Sequence, residues 1–123
     1  MNNTLTVLVV DDSESMRKVI IMTLVHAGYM VLDASDGVQA LQVAKSHNID
    51  IVLTDINMPK MDGIALIAEL RTLPEYKSTP ILTITTESSD VKKHAGKVSG
   101  ATGWIVKPID QDKLLTIVDK LLH

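Results

Sequence analysis

LTVLVVDD, residues 5–12, is an aliphatic run that ends on two adjacent carboxylates, Asp11 and Asp12. A strand buried on both faces has this composition, because both sides of its pleat meet apolar layers. IDIVLTD, residues 49–55, repeats the pattern and ends on Asp55. Two further runs close on polar groups, PILTIT at Thr85 and GWIVK at Lys107. In an open parallel sheet the ligand crevice lies beyond the carboxyl ends of the strands. Those ends therefore aim three carboxylates, a hydroxyl and an ammonium at one edge, a set suited to a phosphoryl group and a divalent cation.

Strand-like runs end near positions 10, 33, 54, 85 and 106, and a helix-like stretch follows each. Glu14 to Ala27 places Met16, Val19, Ile20, Thr23, Leu24 and Ala27 on one stripe, which Gly28 stops. After the short strand Met30 to Asp33, Asp36 and Gln39 take capping-box-like positions before Val38, Leu41 and Ala44, predicting a helix over about 36–46. Asp50 to Thr54 leads into a Pro- and Gly-marked loop, then a helix capped by Asp62 with Ile64, Ile67 and Leu70 inward. Pro80 opens the fourth strand, where a missing backbone donor is tolerated. SSDVKKHAGKVSG, residues 88–100, offers only Val91, Ala95 and Val98 as a stripe, with Gly96 inside it, so a mobile helix is expected. The last helix starts near Asp110 and carries Leu114, Leu115, Val118, Leu121 and Leu122. Five βα units predict a doubly wound α/β domain with a parallel five-stranded sheet and helices on both faces.

At 123 residues the chain suits one domain over 1–123, with no output domain expected after it. Aromatics make up 2% and Phe is absent, so the core must be aliphatic. A net charge of −3 without a basic run argues against nucleic-acid binding. The absence of Cys excludes disulfides, thiolate metal sites and a Cys nucleophile. The amino-terminal stretch lacks a positive segment, and its apolar run is too short for a leader or a membrane span, so a cytoplasmic protein without membrane insertion is expected. His26, His47, His94 and His123 have no metal-ligand spacing.

The chemistry follows from residue type. Mg2+ takes oxygen ligands, and proteins supply one or two carboxylates with water and phosphate completing the octahedron. Asp12 and Asp55 fit that role, with Asp11 acting through water. The competing reading of Asp11 and Asp12 as a plain helix cap is weakened by Asp55 and Lys107. Carboxylates also act as nucleophiles that form aspartyl-phosphate, and Asp55 is the candidate. Thr85 would hydrogen-bond a phosphoryl oxygen, and Lys107 would set a point charge beside it.

VLVVDDSESMRK, LTDINMPKMDG, TITTES and GATGWIVKP occur in that order. Over essentially the whole chain the sequence resembles the receiver domains of two-component response regulators, and within them the stand-alone chemotaxis regulators. The resemblance implies a flavodoxin-like sheet in the order 2-1-3-4-5. It also implies that Asp55 takes a phosphoryl group from a histidine kinase, with Mg2+ on Asp12, Asp55 and the backbone carbonyl of Asn57, and with Asp11 assisting. Lys107 and Thr85 would hold the phosphoryl oxygens, and Asn57 and Glu87 would tune its removal by water or a phosphatase. Phosphorylation would alter the surface of the fourth helix, fifth strand and fifth helix, for a partner such as the flagellar motor switch. The chain would be a monomeric phosphoacceptor that catalyses only its own phosphorylation and dephosphorylation.

Some positions depart from that pattern. Trp104 stands where many members carry a smaller aromatic that rotates on activation, and Ile109 replaces an aromatic after Lys107-Pro108. Thr86 follows Thr85 where a small residue is common. Met58 and Met61 are read as packing. Two alternatives share the chemistry. A phosphorelay carrier outside chemotaxis would pass the group to another histidine domain. An aspartyl-nucleophile phosphohydrolase would need a second Asp two positions after Asp55, where Asn57 stands.

Overall fold

The computed structural model describes residues 4–123; residues 1–3, part of the stretch read as lacking a leader, lie outside it. Each aliphatic run forms a strand: β1 Thr6–Val10, β2 Met30–Ala34, β3 Ile51–Thr54, β4 Ile81–Thr85 and β5 Gly103–Val106. The helices are α1 Glu14–His26, α2 Gly37–Ser46, α3 Gly63–Thr72, α4 Asp90–Ser99 and α5 Gln111–Leu122. All strand pairs are parallel, and the order is β2-β1-β3-β4-β5, as the resemblance implied. No helix among the described residues is long and apolar enough to cross a membrane.

Alternation along the strands divides the core into two layers. Leu8, Val10 and Val52 pack with Ala40, Ala44, Leu66, Ile67 and Leu70 on the α2–α3 side. Val7, Val9, Ile51, Leu53, Leu82 and Ile84 pack with Ile20, Leu24, Leu114 and Val118 on the other. Ser13, Asp36, Asp62, Ser89 and Asp110 cap the five helices, each accepting a backbone N–H from the first turn. Gln39 completes the cap of α2 by accepting from Ser35 N–H at 2.8 Å. Gly28, at φ +97, supplies the left-handed residue that turns the chain from α1 into β2.

The helical stripes are less well foreseen. On α1, Ile20, Thr23 and Leu24 are buried, but Val19 and Ala27 are exposed. On α2, Ala40 rather than Val38 faces the sheet, and on α3 Leu66 joins Ile67 and Leu70 while Ile64 is half-buried. The largest correction is α4, where Val91 is 79% and Val98 73% exposed. Gly96 alone is buried there, and Val91 and Val98 lie roughly 140° and 160° around the helix from it. The reason is the neighbour: a Cβ on Gly96 would stand 2.6 Å from the indole of Trp104, so α4 rests its bare backbone on that ring.

Candidate functional site

Parallel pairing brings the carboxyl ends of β1, β3, β4 and β5 to one edge. The backbone continues the ladder past each strand. Asp11 N–H donates to Ala34 carbonyl at 3.1 Å, Asp55 N–H to Val10 carbonyl at 2.9 Å, and Lys107 N–H to Thr85 carbonyl at 2.8 Å. The side chains at those positions are thereby fixed by sheet geometry rather than by loop conformation.

Asp11, Asp12 and Asp55 offer carboxylate oxygens that lie within 4.8 Å of one another. Asp11 and Asp55 are buried and Asp12 is exposed, so the cluster opens to solvent on one side. Lys107 Nζ lies 2.9 Å from both Asp11 Oδ2 and Asp55 Oδ2. Burial pulls the Lys107 ammonium down, but its hydrogen bonds to Asp11 and Asp55 and their charges outweigh that and hold its pKa above the ordinary 10.5. One ammonium among three carboxylates leaves the pocket net negative, and its donors are all oxygen. Such a set suits a hard cation such as Mg2+.

Asp55 Oδ1 accepts Ile56 N–H at 2.6 Å and faces Asn57 N–H at 3.4 Å. The loop that follows is folded tightly around it. Gly63 N–H donates to Ile56 carbonyl at 2.8 Å, and a Cβ on Gly63 would stand 2.0 Å from Asp55 carbonyl oxygen. Met58 and Met61 pack against the α2–α3 layer, as expected of packing residues.

Thr85 is fully buried at the end of β4, and its hydroxyl accepts Glu87 N–H at 3.1 Å. Glu87 carbonyl in turn accepts from Trp104 Nε1 at 2.9 Å. The backbone of one residue, Glu87, thus joins the edge of the site to the indole, and the indole in turn meets α4 at Gly96. Among the described residues no hydrogen bond links the Thr85 side chain to the carboxylates. The Asn57 side chain is exposed, and the residue reaches the site through its backbone. Ile109 packs against the α1–α5 layer.

The family model for the response regulator receiver domain matches residues 7–119. The chain belongs to the response regulator receiver family. The receiver domain is also similar to the chemotaxis response regulator CheY4 of Vibrio cholerae, with a TM-score of 0.93 and 44% identity over 97% of this chain and 99% of that one. It is 40% identical over 113 residues to the Vibrio cholerae CAI-1 autoinducer sensor kinase/phosphatase CqsS, covering 91% of this chain. The receiver domain spans under half the length of the curated relatives it matches, 16% of CqsS and 47% of the next. The receiver domain of sensor histidine kinase PA1611 from Pseudomonas aeruginosa, with a magnesium ion in its active-site cleft, superposes at a TM-score of 0.90 with 25% identity over 97% of this chain and 98% of that one.

Two residues that the sequence reading left without a role shape the site. Arg17 donates from Nη1 to Asp11 carbonyl at 2.7 Å and from Nε to Asp33 Oδ2 at 2.8 Å, bracing the β1 edge. Gly63 was legible as a loop glycine, but its contact with Asp55 depends on a chain reversal that no local pattern encodes.

Proposed function

We propose that the chain is a phosphorylation-dependent switch in which Asp55 accepts a phosphoryl group from a phosphohistidine of a histidine kinase. The observation that carries this is Lys107 Nζ placed 2.9 Å from Asp55 Oδ2 inside a pocket of three clustered carboxylates. A carboxylate oxygen of Asp55 attacks phosphorus, the P–N bond breaks, and its electron pair returns to the imidazole, which takes up a proton from solvent. Lys107 then donates to a phosphoryl oxygen, a charge-assisted bond stronger than a neutral one. The Thr85 hydroxyl donates to another once the side chain turns toward the phosphoryl group.

Asp12, Asp55 and the Asn57 carbonyl would hold Mg2+, with Asp11 acting through water; the ion supplies positive charge against the phosphoryl oxygens. The product acyl phosphate is removed by water. Asn57, two positions after Asp55, and Glu87, two after Thr85, set how readily water or a phosphatase reaches it. The protein therefore turns over only its own phosphoryl group. Asn57 in place of a second Asp disfavours a phosphomonoester hydrolase, because no acid stands there to protonate a leaving alkoxide.

A phosphoryl group that draws Thr85 toward it pulls on Glu87 N–H, and through Glu87 carbonyl on Trp104 and α4. The output surface is thus the α4–β5–α5 face. Its target is a chemotaxis component such as the flagellar motor switch, and the protein works in the cytoplasm. Incubation with acetyl phosphate and Mg2+, quenched under conditions that preserve acyl phosphates, should add one phosphoryl mass to the intact chain and none to Asp55→Asn. An unmodified wild-type chain would overturn the proposal.

A further inference from the structure

The three carboxylates of the site are not held alike. Asp11 Oδ1 accepts Ser13 N–H at 2.9 Å and its Oδ2 accepts Lys107, while Asp55 Oδ1 accepts Ile56 N–H and its Oδ2 accepts the same ammonium. Among the described residues the exposed Asp12 carboxylate accepts no hydrogen bond and joins no ion pair. Its place in the cluster is therefore set by the backbone. Asp11 N–H makes the last ladder bond to β2, so the peptide from Asp11 to Asp12 lies beyond the sheet. That peptide is gripped instead by the half-buried Arg17, whose Nη1 donates to the Asp11 carbonyl at 2.7 Å. The same guanidinium is anchored on β2, with Nε 2.8 Å from Asp33 Oδ2. Because the fork is planar and rigid, fixing Nε also sets the direction of Nη1.

We propose that Arg17 is a positioning residue for the divalent cation: it orients the Asp11–Asp12 peptide so that the otherwise unheld Asp12 carboxylate meets the oxygens of Asp11 and Asp55, and Asp33 is its anchor. The inference rests on the switch reading above and deepens its metal site. Charge separates this role from a simpler one. A cationic side chain beside a cation site opposes binding of the ion. Asp33 offsets that charge and leaves the directed N–H in place. A plain surface ion pair contributes little, and it has no need of a bond to a main-chain carbonyl. Lysine would keep the charge but lacks the fork that aims one N–H at Asp33 and another at the Asp11 carbonyl.

The test is calorimetric titration of the full chain with Mg2+, beside the rate of labelling by acetyl phosphate. Arg17→Gln and Arg17→Lys should each weaken Mg2+ binding by about tenfold, the usual loss when a group that orients a metal ligand is removed. Charge alone gives the opposite sign for Arg17→Gln and no change for Arg17→Lys. Tighter binding in the first, or wild-type affinity in the second, would overturn the inference. Labelling of both variants at saturating Mg2+ should return to within about threefold of wild type, because the loss lies in binding the ion. A labelling defect that persists at saturation beside unchanged Mg2+ affinity would also overturn it. If Arg17 acts through Asp12, adding Arg17→Lys to Asp12→Asn should weaken Mg2+ by less than about twofold further, whereas an independent effect would repeat the full loss. Should Arg17→Gln fail to fold, Arg17→Lys alone and in that double variant decides the question. Wild-type labelling with unaltered Mg2+ affinity in the Arg17 variants removes the role of Arg17 alone. Absence of the wild-type adduct removes the switch reading, whatever the variants do.

Discussion

Lys107 holds two carboxylates that would otherwise repel each other, bridging to Asp11 and Asp55 from the far end of the sequence. Replacing it by Met leaves that buried pair uncompensated. Lys107→Met should lower stability in Mg2+-free buffer by roughly 3–5 kcal/mol, read by urea denaturation. Its labelling by acetyl phosphate should fall roughly a hundredfold, the usual cost of one lost electrostatic donor. Because the folded pKa is raised, the stabilisation is complete below the ordinary 10.5 and is lost as pH rises past it. Alkaline titration of stability should therefore steepen above that pH in the wild type and flatten in Lys107→Met. Gly63 acts by having no side chain. Gly63→Ala forces a methyl against Asp55 carbonyl and should cost about 1–3 kcal/mol while reducing labelling, measured on the same samples. The placement of Asp11, Asp12, Asp55, Thr85 and Lys107 along one sheet edge was legible because each stands at or just past the end of a strand-like run. The Gly63 contact was not, since it depends on how a loop folds back in space.

At the scale of elements, α4 departs most from its pattern. A three-and-four spacing of Val91, Ala95 and Val98 looks like a buried stripe, yet the helix turns those valines outward and seats Gly96 on Trp104. Sequence periodicity reports which residues share a face but not which face meets the sheet when both are weakly apolar. Gly96→Ala tests this directly. The substitution should favour an isolated helix by about 1 kcal/mol. Here it should instead displace the indole, break the Trp104–Glu87 hydrogen bond and shift tryptophan emission to the red, with no net gain in melting temperature. A gain in stability with unchanged emission would show that α4 does not bear on the ring. The glycine that looked like a weakness of the helix is the seat for an unusually large aromatic on β5.

For the molecule as a whole, the acidic edge sets a charge cost that Lys107 offsets only in part. Mg2+ binding to the folded form should therefore raise the melting temperature, by an amount equivalent to about 2.7 kcal/mol when the ion stands at a hundred times its Kd. Asp55→Asn should raise the melting temperature without Mg2+ and shrink the response to it, both read by thermal unfolding with and without the ion. A melting curve indifferent to Mg2+ would contradict the metal assignment.

The sequence alone determined the βα alternation and the edge at which the chemistry gathers. A strand buried on both faces must be aliphatic throughout, and the first polar residue after it marks the crevice end of a parallel sheet. Only the tertiary structure decided that Lys107 reaches both Asp11 and Asp55, that Thr85 is tied to Trp104 through the backbone N–H and carbonyl of Glu87, and that α4 shows its lysines and valines to solvent. Those relations depend on distances between strands and helices far apart in the chain, which packing sets and local residue patterns do not.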